Sequence, residues 1–316
     1  MTRKGVIQPH ATLTAATIAA PASDSSYDRP MEFGLPSWIS HLLHCPPLPG
    51  YVCGRRLGGG PTCNVFLATD GHGQTVAVKV LKSKAEQNVL AVELIRREAL
   101  AGMALAHSQV VRVVDTHVAR SPYFVVMEYV PGNTAKEHLL QHGTFTVSAT
   151  LGIIRQVAEG LSCLHRAGFI HGDVKPSNIM LPGPGKAMLI DLGFAHRPGD
   201  LKPWADRGHV IGTANYLAPE LATLPPDDTE VADLFSLGVT FFEMLTGTLP
   251  YPGRSTAEVI KKRLNCRSAQ LPFSHKPAIR RLIESLTNPS ANHRLNARQL
   301  VRELAGLQIA EMKRAA

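Results

Sequence analysis

The 316-residue sequence lacks several features that would each point to a particular class of protein. It has no apolar run approaching the ~20 residues that cross a bilayer. Its five cysteines are widely spaced and include no Cys-x-x-Cys pair. This spacing argues against a disulfide framework or a zinc site and for a reducing compartment. We therefore expect a cytoplasmic protein that makes no membrane contact.

Clusters of basic residues interleaved with aromatic residues are also missing, although the net charge is +8. The lysines and arginines are dispersed, and aromatic residues make up only 6% of the chain. Such a distribution does not predict a nucleic-acid-binding surface. The hydrophobic content of 44% is typical of a globular protein. We expect no nucleic-acid partner, and the oligomeric state is left open.

The N-terminal segment, residues 1–45, is rich in Ala, Thr, Ser and Pro and has no sustained periodicity. It predicts a flexible leader with a short helix at Ser37 to Leu43. Its start weakly mimics a secretory signal, but threonines interrupt the apolar stretch. The proline-rich stretch from Pro46 to Gly50 predicts a domain boundary.

The part of the chain after this boundary alternates between short apolar runs and glycine-rich turns, which predicts an antiparallel meander. The first three strands are expected at Tyr51 to Leu57, Cys63 to Thr69 and Thr75 to Leu81. A helix is expected at Ala85 to Leu105, followed by strands at Val110 to His117 and Tyr123 to Glu128. Beyond these the pattern becomes mostly helical.

The most informative stretch lies in the middle of the chain, from His171 to Asn178. It follows a helix-like run, Thr146 to Ala167, and precedes a short strand-like run, Ile179 to Leu181. Within it, Asp173 can accept a proton, Lys175 can neutralise a phosphate oxygen, and Asn178 can offer an oxygen to a hard metal ion. Further along, the carboxylate of Asp191 follows the apolar run Ala187 to Ile190. The sequence therefore predicts two neighbouring polar loops suited to phosphate chemistry.

These two loops resemble the catalytic and metal-binding loops of eukaryotic-type serine/threonine protein kinases, and bacterial members are the closest general likeness. The resemblance implies an α+β, two-lobed protein kinase fold, with a small antiparallel-sheet lobe carrying one main helix and a larger helical lobe. It implies that Asp173 is the catalytic base, that Lys175 contacts the transferred phosphate, and that Asn178 and Asp191 hold Mg²⁺. ATP is the implied cosubstrate, bound between the lobes.

The resemblance extends to the first lobe. The turn after Leu57 resembles the phosphate-covering loop, with Gly58 and Gly60 matching its first two glycines and Cys63 at the place of the third. Lys79 closes an apolar strand, and the resemblance implies that it pairs with Glu98, in preference to Glu93, and positions the ATP phosphates. The remaining implied ATP contacts are the hinge backbone and the walls around the adenine: Glu128, Val130, Leu57, Val65, Ala77 and Met180, with Met127 at the back of the pocket.

Motifs of the second lobe complete the resemblance. The segment Gly212 to Glu220 resembles the substrate-docking segment, and Arg294 stands where the family places a partner for Glu220. The implied domain covers 51–306, with a first lobe at 51–127, a hinge at 128–132, a second lobe at 133–306 and a tail at 307–316. We expect the phosphate acceptors to be Ser and Thr of protein substrates, since Lys175 and Thr213 fit that pattern.

Two departures from the family pattern carry information. Gly172 replaces the arginine that often binds an activating phosphate, and Leu192 replaces the usual phenylalanine after Asp191. No Ser, Thr or Tyr occurs between Asp191 and Gly212. Together, the missing arginine and the missing acceptors predict a kinase that needs no phosphate on this segment.

Substrate choice and alternative functions follow from a few further positions. Ser177 and Thr134 stand where kinases that select upstream arginine often carry glutamate, so we expect no strong demand for upstream arginine. His171-Gly172-Asp173 also resembles small-molecule kinases of the aminoglycoside and choline type. A pseudokinase scaffold that binds ATP is a further alternative. An oxidisable Cys63 in the phosphate-covering loop is a subsidiary hypothesis.

Overall fold

We describe the protein from a computed structural model, which describes residues 45–206, 211–223, 227–253, 255–265 and 267–315. The predicted leader therefore lies outside the described residues, apart from Cys45. The described chain divides into two compact units. The first contains residues 45–103 and 112–129, and the second contains residues 104–111 and 130–315. This division is close to the expected lobe boundaries, except that residues 104–111 group with the second unit.

The first unit is a five-stranded antiparallel sheet with one main helix, in the strand order β1-β2-β3-β5-β4. Its elements are β1 (Tyr51–Gly59), β2 (Cys63–Asp70), β3 (Thr75–Leu81), α1 (Val89–Met103), β4 (Val113–His117) and β5 (Phe124–Glu128). The expected meander holds for β1 to β3, and β5 lies between β3 and β4.

Two apolar clusters stabilise this unit. One includes Phe66, Val78 and Phe124, all essentially inaccessible to solvent. The other joins α1 to the sheet through residues such as Ile95 and Val125. Burying a side chain of this size contributes about 1.5–3 kcal/mol, so these clusters fix α1 on the sheet. The predicted helix was too long at its N-terminal end, because a short 3-10 turn precedes α1.

A disulfide bond joins Cys45 and Cys53, whose Cα atoms are 6.0 Å apart. The expectation of no disulfide is wrong for this pair. The spacing gave no signal because the two residues meet through local structure: Leu48 and Tyr51 form a β-bridge that turns the chain back along β1. The cysteine argument for a reducing compartment is weakened accordingly, and the cytoplasmic location stays a prediction.

The second unit is mostly helical and also contains a small three-stranded sheet in the order β6-β7-β8. Its strands are β6 (Asn133–Thr134), β7 (Ile179–Leu181) and β8 (Met188–Leu189), and its helices are α2 (Ala135–His142), α3 (Val147–Arg166), α4 (Lys202–Ala205), α5 (Val231–Thr246), α6 (Thr256–Leu264), α7 (Pro277–Leu286) and α8 (Ala297–Ala315). The last helix runs across residue 306, where the sequence suggested that a tail begins.

The helices of the second unit form where the sequence provides both an apolar stripe and a cap. In α3, the residues Ile154, Val157 and Leu161 recur at helical spacing and are completely buried. Thr146 caps this helix by accepting a hydrogen bond from the backbone N–H of Ala149. The helix α5 is buried along almost its whole length and ends at Gly247, which has a left-handed conformation.

No helix among the described residues is long and apolar enough to cross a membrane.

Candidate active site

The loop between α3 and β7 places Asp173 in a dense set of contacts. The carboxylate of Asp173 accepts hydrogen bonds from the amide Nδ2 of Asn178 at 3.1 Å and from the backbone N–H of Thr213 at 3.1 Å. Lys175 Nζ lies 2.6 Å from the same carboxylate and donates to the hydroxyl of Thr213 at 2.7 Å. Asp173 is only 3% exposed. A buried carboxylate with this many donors is held in one position.

Asn178 lies at the end of a 3-10 turn, Pro176–Asn178, that leads directly into β7. Its amide group donates to the backbone carbonyl of Asp173 at 2.9 Å as well as to the Asp173 carboxylate. The two hydrogen bonds orient the side chain so that Nδ2 faces Asp173. Oδ1 is therefore the atom of Asn178 with ligand character for a hard cation.

Asp191 follows β8 and has a positive φ of 69°, which is uncommon for a residue with a side chain. Its carboxylate accepts a hydrogen bond from the backbone N–H of Gly193 at 3.1 Å, and Ile190 donates to the carbonyl of Asn178 at 2.9 Å. This second bond holds the chain immediately before Asp191 against the end of the catalytic loop. The two residues expected to hold Mg²⁺ thus lie on backbone segments that are hydrogen-bonded to each other.

The chemistry of this oxygen pair fits Mg²⁺. Magnesium commonly binds through one or two carboxylates together with substrate phosphates and waters, so it does not need an all-protein cage. No group of three or more His, Cys, Asp or Glu residues suited to a metal occurs in the described part of the chain. Asn178 and Asp191 provide the hard oxygen atoms that such a partial site requires.

A buried polar network beneath the catalytic loop involves two residues whose role the sequence analysis missed. The carboxylate of Asp233, at the start of α5, accepts hydrogen bonds from the backbone N–H groups of His171 and Gly172 at 2.8 and 2.9 Å. His165 Nε2 lies 2.9 Å from the same carboxylate. Burial raises the pKa of Asp233, but the hydrogen bond and charge interaction from His165, together with the hydrogen bond from the His171 backbone, outweigh it and lower the pKa overall.

His171 is completely buried, and its burial lowers the pKa of the imidazole. It is therefore neutral at pH 7, which favours a role in packing the loop. The clue to Asp233 in the sequence was a carboxylate at the start of an otherwise apolar helix. A buried charge in such a place requires partners, and the partners are backbone N–H groups that no side-chain pattern reveals.

Gly172 adopts a conformation that few other residues tolerate. Its φ is 76°, and a Cβ atom at this position would lie 2.8 Å from the carbonyl oxygen of Phe194 and 3.2 Å from the His196 ring. His196 in turn exchanges two backbone hydrogen bonds with Ile170. The imidazole of His196 thus occupies the space next to Gly172 that a side chain there would need.

In the first unit, Lys79 on β3 and Glu98 on α1 form an ion pair with an Nζ to Oε2 distance of 2.7 Å. Both are largely buried, with side chains 13% and 3% exposed. Glu93, the competing acid, instead pairs with Arg97 on the surface of the same helix. A largely buried ammonium paired with a buried carboxylate provides a fixed positive charge that can bind a phosphate.

The glycine-rich turn between β1 and β2 differs in detail from the expected pattern. A Cβ atom at Gly58 or Gly60 would meet no atom within 4 Å, so both have open space beside the backbone. At Gly59 a Cβ atom would lie 2.9 Å from the backbone carbonyl oxygen of Cys63, so the backbone itself leaves little room for a side chain there. The open backbone at Gly58 and Gly60 is the kind of surface that phosphate oxygens approach.

Two hydrogen bonds at Gly60 fix the end of the same turn. The carbonyl of Gly60 accepts one hydrogen bond, 2.6 Å long, from Lys82 Nζ, and the N–H of Gly60 donates to the carbonyl of Cys63 at 2.9 Å. Cys63 is buried. Lys82, the residue after β3, therefore holds the turn in place through a contact that sequence spacing did not predict.

The residues expected to contact adenine lie in both units. In the first, Ala77 on β3 is buried and Leu57 and Val65 are half-buried. Glu128 ends β5, and its backbone N–H donates to Arg112 while its carboxylate accepts from the Arg112 N–H. In the second unit, Met180 lies on β7 immediately after the catalytic loop, paired with Thr134 and Met188.

The segment expected to dock substrates contacts the catalytic loop through Thr213 and is anchored at its far end. Glu220 accepts a pair of hydrogen bonds from the guanidinium of Arg294, one of them 2.8 Å long. Arg294 is buried and also donates to the carbonyl of Asn288. This bidentate pair is the one expected from the sequence, and it attaches the 3-10 turn Pro219–Ala222 to the loop before α8.

Comparisons with known proteins agree with this arrangement. The chain is 31% identical over 268 residues to the Corynebacterium efficiens "Serine/threonine-protein kinases drp72", covering 83% of this chain and 51% of that protein. It is 33% identical over 253 residues to the Mycobacterium tuberculosis "Serine/threonine-protein kinase PknA", covering 77% and 58%. It is 30% identical over 235 residues to the Bacillus subtilis "Serine/threonine-protein kinase PrkC", covering 73% and 36%.

The chain thus matches between about a third and three fifths of the length of these relatives. A sequence model of one family, described as the protein kinase domain, matches residues 51–304. That range contains the Lys79–Glu98 pair, the Asp173 loop, Asp191 and the Glu220–Arg294 pair. The first unit has the antiparallel sheet of that fold, and the second unit is mostly helical. This chain belongs to the protein kinase domain family.

Proposed function

We propose that this protein is a serine/threonine protein kinase that transfers the γ-phosphate of Mg-ATP to hydroxyl groups of protein substrates. The observation that carries the proposal is the fixed position of the Asp173 carboxylate between Lys175, Asn178 and Thr213. The relatives named as serine/threonine kinases support the choice of acceptor. ATP and Mg²⁺ use follows from family membership and from the donor groups described above.

In this proposal each residue has a role that its contacts suit. Asp173 orients the acceptor hydroxyl and accepts its proton. Lys175 neutralises charge on the transferred phosphate, and Asn178 and Asp191 would hold Mg²⁺, which when bound would supply positive charge to the phosphate oxygens. Lys79, held by Glu98, positions the ATP phosphates together with the backbone at Gly58 and Gly60. The adenine ring contacts Leu57, Val65, Ala77 and Met180 and hydrogen-bonds to the backbone of Glu128 and Val130.

We further propose that the kinase is active without phosphate on the segment after Asp191. Three observations support this. Gly172 has no side chain with which to bind a phosphate, and residues 192–211 contain no hydroxyl acceptor. The described start of this segment is already fixed by the chain itself, since His196 exchanges backbone hydrogen bonds with Ile170 and Gly199 N–H donates to Asp228 at 2.9 Å. These contacts do what phosphate binding does elsewhere, which is to order the segment.

The experiment that tests the proposed function offers three acceptors to the purified protein with labelled ATP and Mg²⁺. These are the protein itself, a generic protein substrate such as casein, and an aminoglycoside. We expect label on serine or threonine of protein after acid hydrolysis, without prior activation. Label on the aminoglycoside alone would make the protein a small-molecule kinase. ATP binding with no transfer to any acceptor would make it a pseudokinase.

A further inference from the structure

Asp228 is a buried acid in the loop before α5, and the catalytic site described above does not use it. The residue is 9% exposed. Its Oδ2 atom accepts a hydrogen bond from the backbone N–H of Gly199 at 2.9 Å, and the Nε2 atom of His196 lies 3.7 Å from the same oxygen. A carboxylate this deeply buried requires polar partners. Asp228 takes these partners from the segment that follows Asp191.

The ring of His196 is held between a backbone carbonyl and Asp228. Its Nδ1 atom lies 2.8 Å from the carbonyl oxygen of Phe194. A carbonyl oxygen only accepts hydrogen bonds, so Nδ1 carries the hydrogen in this contact. Nε2 faces the Asp228 carboxylate at a distance too long for a hydrogen bond, and the side chain of His196 is 1% exposed. The acid therefore contacts a ring that the backbone already orients.

His196 and its neighbour pack against the chain that leads into Asp173. His196 exchanges two backbone hydrogen bonds with Ile170, at 2.8 and 3.0 Å. The guanidinium of Arg197 lies 5.2 Å from the centre of the Phe169 ring, within the range of a cation–π contact. This short pairing of two backbone segments ends only three residues before the proposed catalytic base.

A glycine turn brings a backbone N–H to Asp228. The carboxylate of Asp200 accepts a hydrogen bond from the Arg197 N–H at 3.0 Å, and the Asp200 N–H donates to the Arg197 carbonyl at 3.1 Å. Within this turn, Gly199 has a φ of 91°, in the left-handed region that favours glycine. The N–H of Gly199 donates outside the turn, to Asp228. The turn and the acid together fix the chain just after His196.

Two carboxylates near the start of α5 support the catalytic loop from different sides. Asp233 accepts a hydrogen bond from the Gly172 N–H at 2.9 Å. Asp228, five residues earlier, holds the segment whose His196 ring lies beside Gly172. The residue that precedes the proposed catalytic base is thus supported directly by one acid and indirectly by the other.

We propose that Asp228 is a positioning residue for phosphate transfer, because its carboxylate holds His196 and Gly199 against the loop that presents Asp173. This inference rests on the proposed kinase function, since it concerns how the proposed base is placed. Without the carboxylate, the Gly199 N–H loses a charged acceptor and the His196 ring loses its support beside Gly172.

The expected consequence is a slower chemical step with little change in ATP binding. Asp173 then occupies less of the time the position from which it accepts the proton of the acceptor hydroxyl. The groups of the first unit that are proposed to bind the ATP phosphates, Lys79 and the glycine-rich turn, make no contact with Asp228 among the described interactions. A loss of kcat without a change in the KM for ATP therefore distinguishes positioning from a general loss of structure.

The test compares wild type with Asp228→Asn, His196→Gln, the double variant and Asp227→Asn. Asparagine keeps the size of the Asp228 side chain and removes its charge. Asp227 provides the matched control because it is the neighbouring acid of the same loop and is exposed. The values of kcat and of KM for ATP are measured with casein as the acceptor. Urea midpoints establish that each variant is folded.

Hydrogen exchange followed by mass spectrometry gives a readout that does not depend on catalysis. It compares residues 194–200 and 169–173 with the helix α1 in wild type and in Asp228→Asn. Local opening raises exchange only in the segments that the acid holds, whereas a global loss of stability raises it in every element.

We expect Asp228→Asn and His196→Gln each to lower kcat about tenfold and to leave the KM for ATP within about twofold. The double variant should lose less than the product of the two single losses, because residues in contact act together. Exchange should rise in residues 194–200 and 169–173 and stay unchanged in α1. Asp227→Asn should match wild type in every measurement.

A kcat of Asp228→Asn equal to that of wild type would overturn this inference and leave the proposed function standing. An unfolded Asp228→Asn, or a similar rise in exchange throughout the chain, would also overturn it, because the acid would then stabilise the whole fold. No transfer by wild type to any protein acceptor would overturn the proposed function and, with it, this inference.

Discussion

The ring of His196 lies 3.2 Å from the point at which a side chain on Gly172 would begin, and the carbonyl of Phe194 is closer still at 2.8 Å. The glycine and the histidine therefore depend on each other: the small residue leaves the space that the ring fills. Because φ at Gly172 is also positive, a substitution there meets both backbone strain and steric crowding.

Replacing Gly172 with alanine should lower the free energy of unfolding by about 2–3 kcal/mol, the sum of left-handed strain and the close contact with Phe194. The matched control is Gly168→Ala, because Gly168 has a φ of 79° but nothing within 4 Å of a Cβ atom. It should cost only the strain, about 1 kcal/mol. Urea unfolding of both variants measures the difference, and equal costs would contradict the crowding at Gly172.

The Lys79–Glu98 pair gives a second prediction, with its control on the same helix. Glu98→Gln removes the charge that holds Lys79, so kcat/KM for ATP should fall by about a hundredfold. Glu93→Gln breaks the neighbouring pair with Arg97 and should leave activity within about twofold, since a partly exposed pair within one helix contributes little. Steady-state kinetics with a generic protein acceptor measures both. A similar loss in the two variants would mean that the Lys79 pair has no special role.

Asp233 gives a prediction about pH. Its pKa is lowered in the folded protein, so its charge stabilises the fold above the unfolded pKa of about 3.9. This contribution is lost as the pH falls through the lower folded pKa. Asp233→Asn should cost about 3 kcal/mol at pH 7, because one amide oxygen cannot replace the contacts of a carboxylate with two backbone N–H groups and His165.

The difference in unfolding free energy between wild type and Asp233→Asn should therefore shrink as the pH is lowered through this range. Urea unfolding at a series of pH values measures it. A difference that stays constant down to acid pH would show that the charge of Asp233 is not what holds the catalytic loop.

The disulfide between Cys45 and Cys53 predicts a dependence on reductant. Alkylation followed by mass spectrometry of the unreduced protein should leave these two thiols unlabelled and label Cys163. Closing a short loop should add about 2 kcal/mol to the free energy of unfolding, and this increment should disappear in dithiothreitol. The variant with both cysteines replaced by serine should not respond to the reductant. Full labelling of Cys53 without reductant would contradict the bond.

The sequence predicted best those features that depend on short-range patterns. Ile179–Leu181 and Thr75–Leu81 have the predicted bounds, and α3 lies between its predicted end residues Thr146 and Ala167. Apolar alternation, helical spacing and capping residues determine these elements locally. The choice of Glu98 over Glu93 as the partner of Lys79 came from the family resemblance, and the structure confirms the pair.

Features that depend on backbone groups or on distant residues were missed. Asp233 binds backbone N–H groups about 60 residues away, and Lys136 pairs with Glu243 more than 100 residues further along the chain. Neither contact follows from spacing along the sequence. The position of β5 between β3 and β4 is likewise set by sheet packing, and Cys45 meets Cys53 through a local turn.

The most direct test of Asp173 as the catalytic base compares phosphate transfer by Asp173→Asn with that by wild type. ATP binding is measured on both proteins. Asparagine keeps the shape of the side chain but cannot accept the proton. We expect the ATP affinity of this variant to change little and its transfer to protein serine or threonine to fall by about a hundredfold or more. Asp70→Asn, at a surface turn, controls for the loss of one negative charge. Transfer at the wild-type rate by Asp173→Asn would contradict the assignment of Asp173 as the catalytic base.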